Sequence, residues 1–199
     1  ADENHSFTYN TADFTITKAT LSVTADAKTK VYGETNPALT FSYSGFLNSD
    51  DESDIDTNPA ILTTADELSA AGNYPIVLAG GTDNNYILSR TDGALTVSKA
   101  QLTATADNKS KIYSELNPVL TIAYNGFKNS DDISAIDLAP VASTSAVQTS
   151  DVGSYDIALS AGSDNNYVIT NTDGTLVIAK ADLTVTAENK TRIYSEANP

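Results

Sequence analysis

One stretch of this chain occurs three times at a fixed interval, and that interval constrains the fold more than any other feature. It reads TADAKTKVYGETNP over Thr24 to Pro37, returns as TADNKSKIYSELNP over Thr105 to Pro118, and returns again as TAENKTRIYSEANP over Thr186 to Pro199. Tyr32, Tyr113 and Tyr194 are therefore spaced by 81 residues, twice over. An equal spacing with no insertion marks a tandem array in which each period is one folding unit.

Laying the whole chain on this register divides it into four parts. Residues 1–18 match the tail of a preceding repeat, with Asp2-Glu3-Asn4 falling on Asp83-Asn84-Asn85 and Phe14 to Lys18 falling on Leu95 to Lys99. Residues 19–99 and 100–180 are complete copies, and residues 181–199 match the head of a third. The expectation is that the natural polypeptide continues beyond these limits. A unit of 81 residues is small, but it buries somewhat more than about 60% of its unfolded surface and can fold alone.

Within a copy the pattern is β. Leu21, Val23 and Ala25 alternate with Ser22 and Thr24, as a half-buried strand requires, and the second copy keeps the phase with Leu102, Ala104 and Ala106. A short strand around Lys30 to Tyr32 follows, then a turn at Asn36-Pro37. Leu39, Phe41 and Tyr43 alternate again, up to Gly45-Phe46. The one helical candidate is a short turn over Asp50 to Ile55, with Asn48-Ser49-Asp50-Asp51 supplying capping residues and Pro59 stopping it. Strands resume near Ala60 to Thr64, and then in Tyr74, Ile76 and Leu78. Tyr86 to Ser89 leads into Asp92-Gly93, a dipeptide that predicts a tight hairpin back along Leu95 and Val97. Each copy thus holds six or seven short strands and a vestigial helix. The copies abut through Lys99-Ala100-Gln101-Leu102 without a Gly/Ser-rich linker, which predicts a stiff, rod-like array.

The ordered set Leu-x-Val-x-Ala-Asp-x-Lys-x-Lys-x-Tyr-Gly-x-x-Asn-Pro, Tyr-x-Gly-Phe, Gly-x-Tyr, Asn-Tyr and Asp-Gly-x-Leu-x-Val resembles the MBG ("mostly beta-grasp") domain family, YGX type. Both complete copies and both partial ones carry it. The resemblance implies an all-β fold of tandem β-grasp-like domains, found in large secreted or surface-attached bacterial proteins, many of them adhesins. It brings no catalytic residues. The strand pattern by itself fits a seven-stranded immunoglobulin-like sandwich equally well. Copy one has the family's Tyr32-Gly33, whereas the others have Tyr113-Ser114 and Tyr194-Ser195, so a need for glycine's left-handed freedom at this position is not established by the sequence.

Composition narrows the function. The formal net charge of −15 leaves no basic face for nucleic acid or anionic lipid. There is no Cys, hence no disulfide, thiolate metal site or thiol nucleophile. No run approaches the roughly 18 apolar residues of a membrane span, so direct membrane insertion is not expected. The single His, His5, stands where the copies have Tyr86 and Tyr167, and a residue present once does not carry an array's function.

Two kinds of site remain. Asp50, Asp51, Asp131 and Asp132 lie in runs of hard oxygen donors of the kind Ca²⁺ takes, although the spacing matches no EF-hand; turns and helix caps are the competing reading. Tyr86 and Tyr167, beside Asn-Asn, offer a glycan platform, against a core role read from their strand phase. Lys28, Lys30, Lys109 and Lys111 read as guards of an exposed edge strand. A Lys–Asn crosslink would need a buried Lys beside a carboxyl group. The leading expectation is a non-enzymatic, extracellular structural segment without cofactor, whose partners are neighbouring repeats. A self-associating filament of identical chains joined head to tail by strand addition is the alternative, and a glycan- or Ca²⁺-binding adhesion module the third.

Overall fold

The first and last strands of the first unit run side by side in parallel and change sheet together. The computed structural model describes residues 3–199; Ala1 and Asp2, the first residues of the expected repeat tail, lie outside the described residues. Strand β1 (Ala19–Ala25) pairs in parallel with β6 (Tyr86–Thr91), from Ala19 beside Tyr86 to Thr24 beside Thr91. Strand β2 (Lys28–Val31) pairs in parallel with β7 (Gly93–Ser98), from Lys28 beside Leu95 to Val31 beside Ser98. The offset is 67 residues in both ladders.

Antiparallel strands complete the unit. β3 (Phe41–Ser44) joins the other edge of β1, giving the three-stranded order β3-β1-β6. β4 (Ala60–Thr63) and β5 (Gly72–Ala79) join β7, giving the four-stranded order β2-β7-β5-β4. The alternation read in the sequence decides what is buried. Val23 and Ala25 from one sheet, and Ile76, Leu78 and Leu95 from the other, form one core with Ala65. Burial of its valine, isoleucine and leucine side chains stabilises by about 1.5–3 kcal/mol each.

The second unit repeats the plan. It contains β8 (Ala100–Ala106), β9 (Lys109–Ile112), β10 (Ile122–Asn125), β11 (Ala142–Thr144), β12 (Gly153–Leu159), β13 (Tyr167–Thr172) and β14 (Gly174–Ala179). The orders β10-β8-β13 and β11-β12-β14-β9 are those of the first unit. Ala106, Ala146, Ile157, Leu176 and Ile178 form its core. The chain is therefore nearly all β, in two tandem domains of seven strands each. Among the described residues no helix lies across either sheet. The expected turn over Asp50 to Ile55 shrinks to the 3-10 turns Glu52–Asp54 and Ile133–Ala135.

The predicted hairpin at Asp92-Gly93 does not form. β6 and β7 belong to different sheets, and Asp92 is the single residue at which the strand bends from one to the other. Its carboxylate accepts from the Leu78 amide at 3.0 Å. A Cβ on Gly93 would stand 2.7 Å from the Ala25 carbonyl oxygen, so glycine is required for the close approach of two backbones rather than for a turn. Asp173 and Gly174 repeat both contacts, with Leu159 and Ala106.

Two further readings change. Lys30 and Lys111 do not guard an edge. Although β2 and β9 are edge strands, both side chains point inward and are buried. The second concerns the Gly/Ser position after the motif tyrosine. Gly33, Ser114 and Ser195 have φ of 79, 74 and 82°, so all three copies take the left-handed conformation whether or not glycine is present. The serines carry the strain that glycine avoids.

No strand is present among residues 3–18 or 181–199. Phe14, Ile16, Leu183 and Val185 are each 85–89% exposed, and Phe7 is 69% exposed.

Candidate functional site

The densest polar constellation in each unit surrounds the tyrosine that opens the sixth strand. Asp83 lies just before β6 and is buried. Its Oδ1 accepts from the amides of Asn85 at 2.7 Å and Tyr86 at 2.8 Å, and its Oδ2 from the Asp56 amide at 3.4 Å. The Asp56 carboxylate answers by accepting from the Asn84 amide at 2.9 Å. Two loops far apart in sequence are thus braced by reciprocal aspartates. Burial pushes the Asp83 carboxyl up, but these amide donors and the Lys18 charge outweigh it and leave its pKa below the usual range. Asp164 and Asp137 reproduce the brace.

Tyr86 is buried, and its ring meets Phe46 edge-on at 5.9 Å between centroids. Its hydroxyl donates to Asp50 Oδ2 at 2.7 Å and accepts from the Leu47 amide at 2.9 Å. The Leu47 amide lowers the phenol's pKa. Burial and the charges of Asp50 and Asp83 outweigh it, and the phenol ionises above its usual range. Between Leu47 and Asp50 the loop passes through Asn48 and Ser49, at φ 54 and 70°. The same strained pair recurs at Asn129 and Ser130, and Tyr167 repeats the contacts to Asp131 and Lys128. Both tyrosines are therefore core residues, as their strand phase indicated, and neither is a glycan platform.

The four aspartates marked for Ca²⁺ are engaged separately. Asp50 and Asp131 receive the tyrosine hydroxyls. Asp51 and Asp132 cap the 3-10 turns, each accepting from a serine amide at 2.8 Å and its hydroxyl at 2.6 Å. Those serine donors hold both carboxyls below the usual range. Asp51 also receives a capping box, its amide donating to Asp54. Among the described residues, no three His, Cys, Asp or Glu side chains converge as a metal-holding group.

Sequence reasoning missed the lysine staples. Lys30 Nζ donates to the carbonyls of Glu34, at 3.0 Å, and Asp66. Lys111 Nζ donates to those of Glu115 and Val147 at 3.1 and 2.8 Å. Alongside them Asn36 and Asn117 donate to the Ala65 and Ala146 carbonyls at 2.6 Å. These contacts tie the Asn-Pro loop to the start of the loop after β4 or β11. The ammonium groups face carbonyls, not the carboxyl that crosslink chemistry needs. The signal lay in the strand phase, because Lys30 is in step with the inward-facing positions of an alternating strand.

A cleft of about 640 Å³ opens on the first unit, lined by Lys18, Leu47, Asn48, Asp50, Asn85 and Tyr86 among others. Its polar groups include those that hold the loop. The arrangement fixes backbone: Asp50 receives the Tyr86 hydroxyl, and that hydroxyl receives the Leu47 amide.

The model of the MBG domain (YGX type) family matches residues 21–96 and 102–177. These two stretches make up most of the chain, and the chain belongs to that family. A comparison with curated proteins finds no match. Among the described residues, no helix is long and apolar enough to cross a membrane.

Proposed function

We propose that this chain is a non-enzymatic spacer segment of a long extracellular bacterial surface or adhesin-like protein. The observation that carries the reading is the use each unit makes of its polar side chains. Asp51, Asp56, Asp83, Lys30 and Tyr86 all hold the unit's own loops, and the second unit repeats nearly every such contact 81 residues on. Membership in the MBG family and the strongly acidic surface support the extracellular setting. Adhesive or anchoring chemistry then belongs to other parts of the parent protein. Replacing both units in the parent protein by unrelated β domains of equal length tests this. Retained surface display and adhesion are expected. Loss of adhesion on replacement, or on a surface point substitution that leaves folding intact, would show that the units themselves bind.

The exposed Phe7, Phe14, Ile16, Leu183 and Val185 favour one second reading, association of identical chains by strand addition. Transferring the internal register to the termini would set Leu183 beside Phe7 and Lys190 beside Phe14 in a neighbouring chain. Spacer function, which rests on contacts that both units repeat internally, is the preferred reading. Sedimentation velocity across a concentration series tests it. Leu183→Asp should abolish any association that uses this joint.

A further inference from the structure

We propose that each unit is built to bear tension applied through its two ends, by loading the parallel pairing of its first and last strands in shear. The proposal takes its biological setting from the spacer reading, but its geometry stands on the strand register alone.

Tension on the first unit enters at Ala19, the start of β1, and leaves at Ser98, the end of β7. The bent strand made of β1 and β2 lies parallel to the bent strand made of β6 and β7, paired at six positions before the corner and four after it. Pulling the start of one parallel strand against the end of the other slides the two lengthwise. The evenly spaced ladder bonds are then strained together, and no single rung can open ahead of the rest. An antiparallel pair pulled apart at one end instead opens rung by rung. The antiparallel additions, β3, β5 and β4, lie beside this load path.

Three features resist the slide. Lengthwise movement by one residue would turn either Leu21 and Val23 or Leu95 and Val97 out of the core, because the side-chain period is two. Movement by two would pull Lys30 from the Asp66 carbonyl, which belongs to the loop between β4 and β5. At the corner, Gly93 is wedged against the Ala25 carbonyl. The end of the ladder is closed by the Tyr32 amide on the Ser98 carbonyl at 2.8 Å and by the Ser98 hydroxyl on the Lys30 carbonyl at 3.1 Å. The second unit keeps the parallel ladder from Lys109 beside Leu176 to Ile112 beside Ala179. Its corner is bridged by the Thr175 amide donating to Asn108 Oδ1 at 2.8 Å.

Force spectroscopy on the full chain tests the proposal. Held by its ends, the chain should give two high-force events, each releasing about 80 residues, or roughly 26–29 nm of contour at about 3.3–3.6 Å per residue. The chain has no cysteine, so an introduced pair defines a second axis. Ala60→Cys with Ala79→Cys places anchors on opposite strands at one rung of the antiparallel β4–β5 ladder, at exposed positions. Pulling there should open the ladder at a severalfold lower force. Lys30→Met should lower the end-to-end force of one event and leave that of the other unchanged. Equal forces along the two axes, or end-to-end unfolding in small low-force steps, would overturn the proposal. Neither outcome bears on whether the units can be replaced by other domains, so the spacer reading stands or falls separately.

Discussion

The hydroxyl of Tyr86 donates to the carboxylate of Asp50 across 36 residues of sequence, at 2.7 Å, and Tyr167 does the same to Asp131 at 2.6 Å. One phenol thereby fixes a loop whose two middle residues take left-handed backbone conformations. Tyr86→Phe keeps the ring packing on Phe46 and removes only the hydroxyl. The Leu47 amide then loses its acceptor. Faster amide exchange at Leu47 and a lower melting temperature are expected, while Tyr167→Phe should produce the corresponding change at Lys128.

A second tyrosine pair separates a made hydrogen bond from an unmade one. The Tyr43 hydroxyl donates to Asn58 at 2.7 Å. In the second copy Ala139 stands where Asn58 does, and the buried Tyr124 hydroxyl has no hydrogen-bond partner among the described residues. Tyr43→Phe should destabilise by about 1 kcal/mol, whereas Tyr124→Phe should be neutral or stabilising. Ala139→Asn should supply the missing acceptor. Urea denaturation of the three variants checks the contrast in sign.

Lys30→Met removes a buried ammonium and orphans the carbonyls of Glu34 and Asp66. The aliphatic stem is nearly preserved, so the loss comes from the unpaired acceptors, at about 1–3 kcal/mol. Lys28→Met is the surface control: Lys28 lies 3.9 Å from Asp26 in a partly exposed ion pair, where such pairs contribute roughly 0–1 kcal/mol.

Acid should destabilise the chain in a defined window. Asp51, Asp83 and Asp132 have pKa values lowered in the folded state from 3.8. A lowered folded value contributes stability that is fully present above the unfolded pKa. It is lost as pH falls through 3.8 toward the folded value. The melting temperature should therefore hold from pH 7 to about 5 and fall below about 4. Asp83→Asn should make that fall shallower.

Calcium titration followed by melting examines Asp50, Asp51, Asp131 and Asp132 directly. Each carboxylate already receives donors from tyrosine or serine, so binding Ca²⁺ would break contacts that hold the loops. An EDTA-insensitive melting temperature is the expected result. A rise with Ca²⁺ that EDTA reverses and Asp50→Asn abolishes would establish a site.

The sequence by itself determined the period, the strand segments and the face that each alternating apolar strand buries. Leu21 and Val23 alternate with serine and threonine, and alternation depends only on the local pleat. It also located the capping aspartates, because Asp51 satisfies amides two residues away. The tertiary structure decided which strands meet. Period two reports a face and not a neighbour, and parallel pairing of β1 with β6 joins residues 67 apart. That is why Asp92-Gly93 reads as a hairpin but acts as a corner: the same dipeptide suits both, and only the Ala25 carbonyl packed against Gly93 distinguishes them. Lys30 follows the same logic. Its charge suggests a solvent-facing edge, but the Glu34 and Asp66 carbonyls that receive it inside are brought together only by the folded loops.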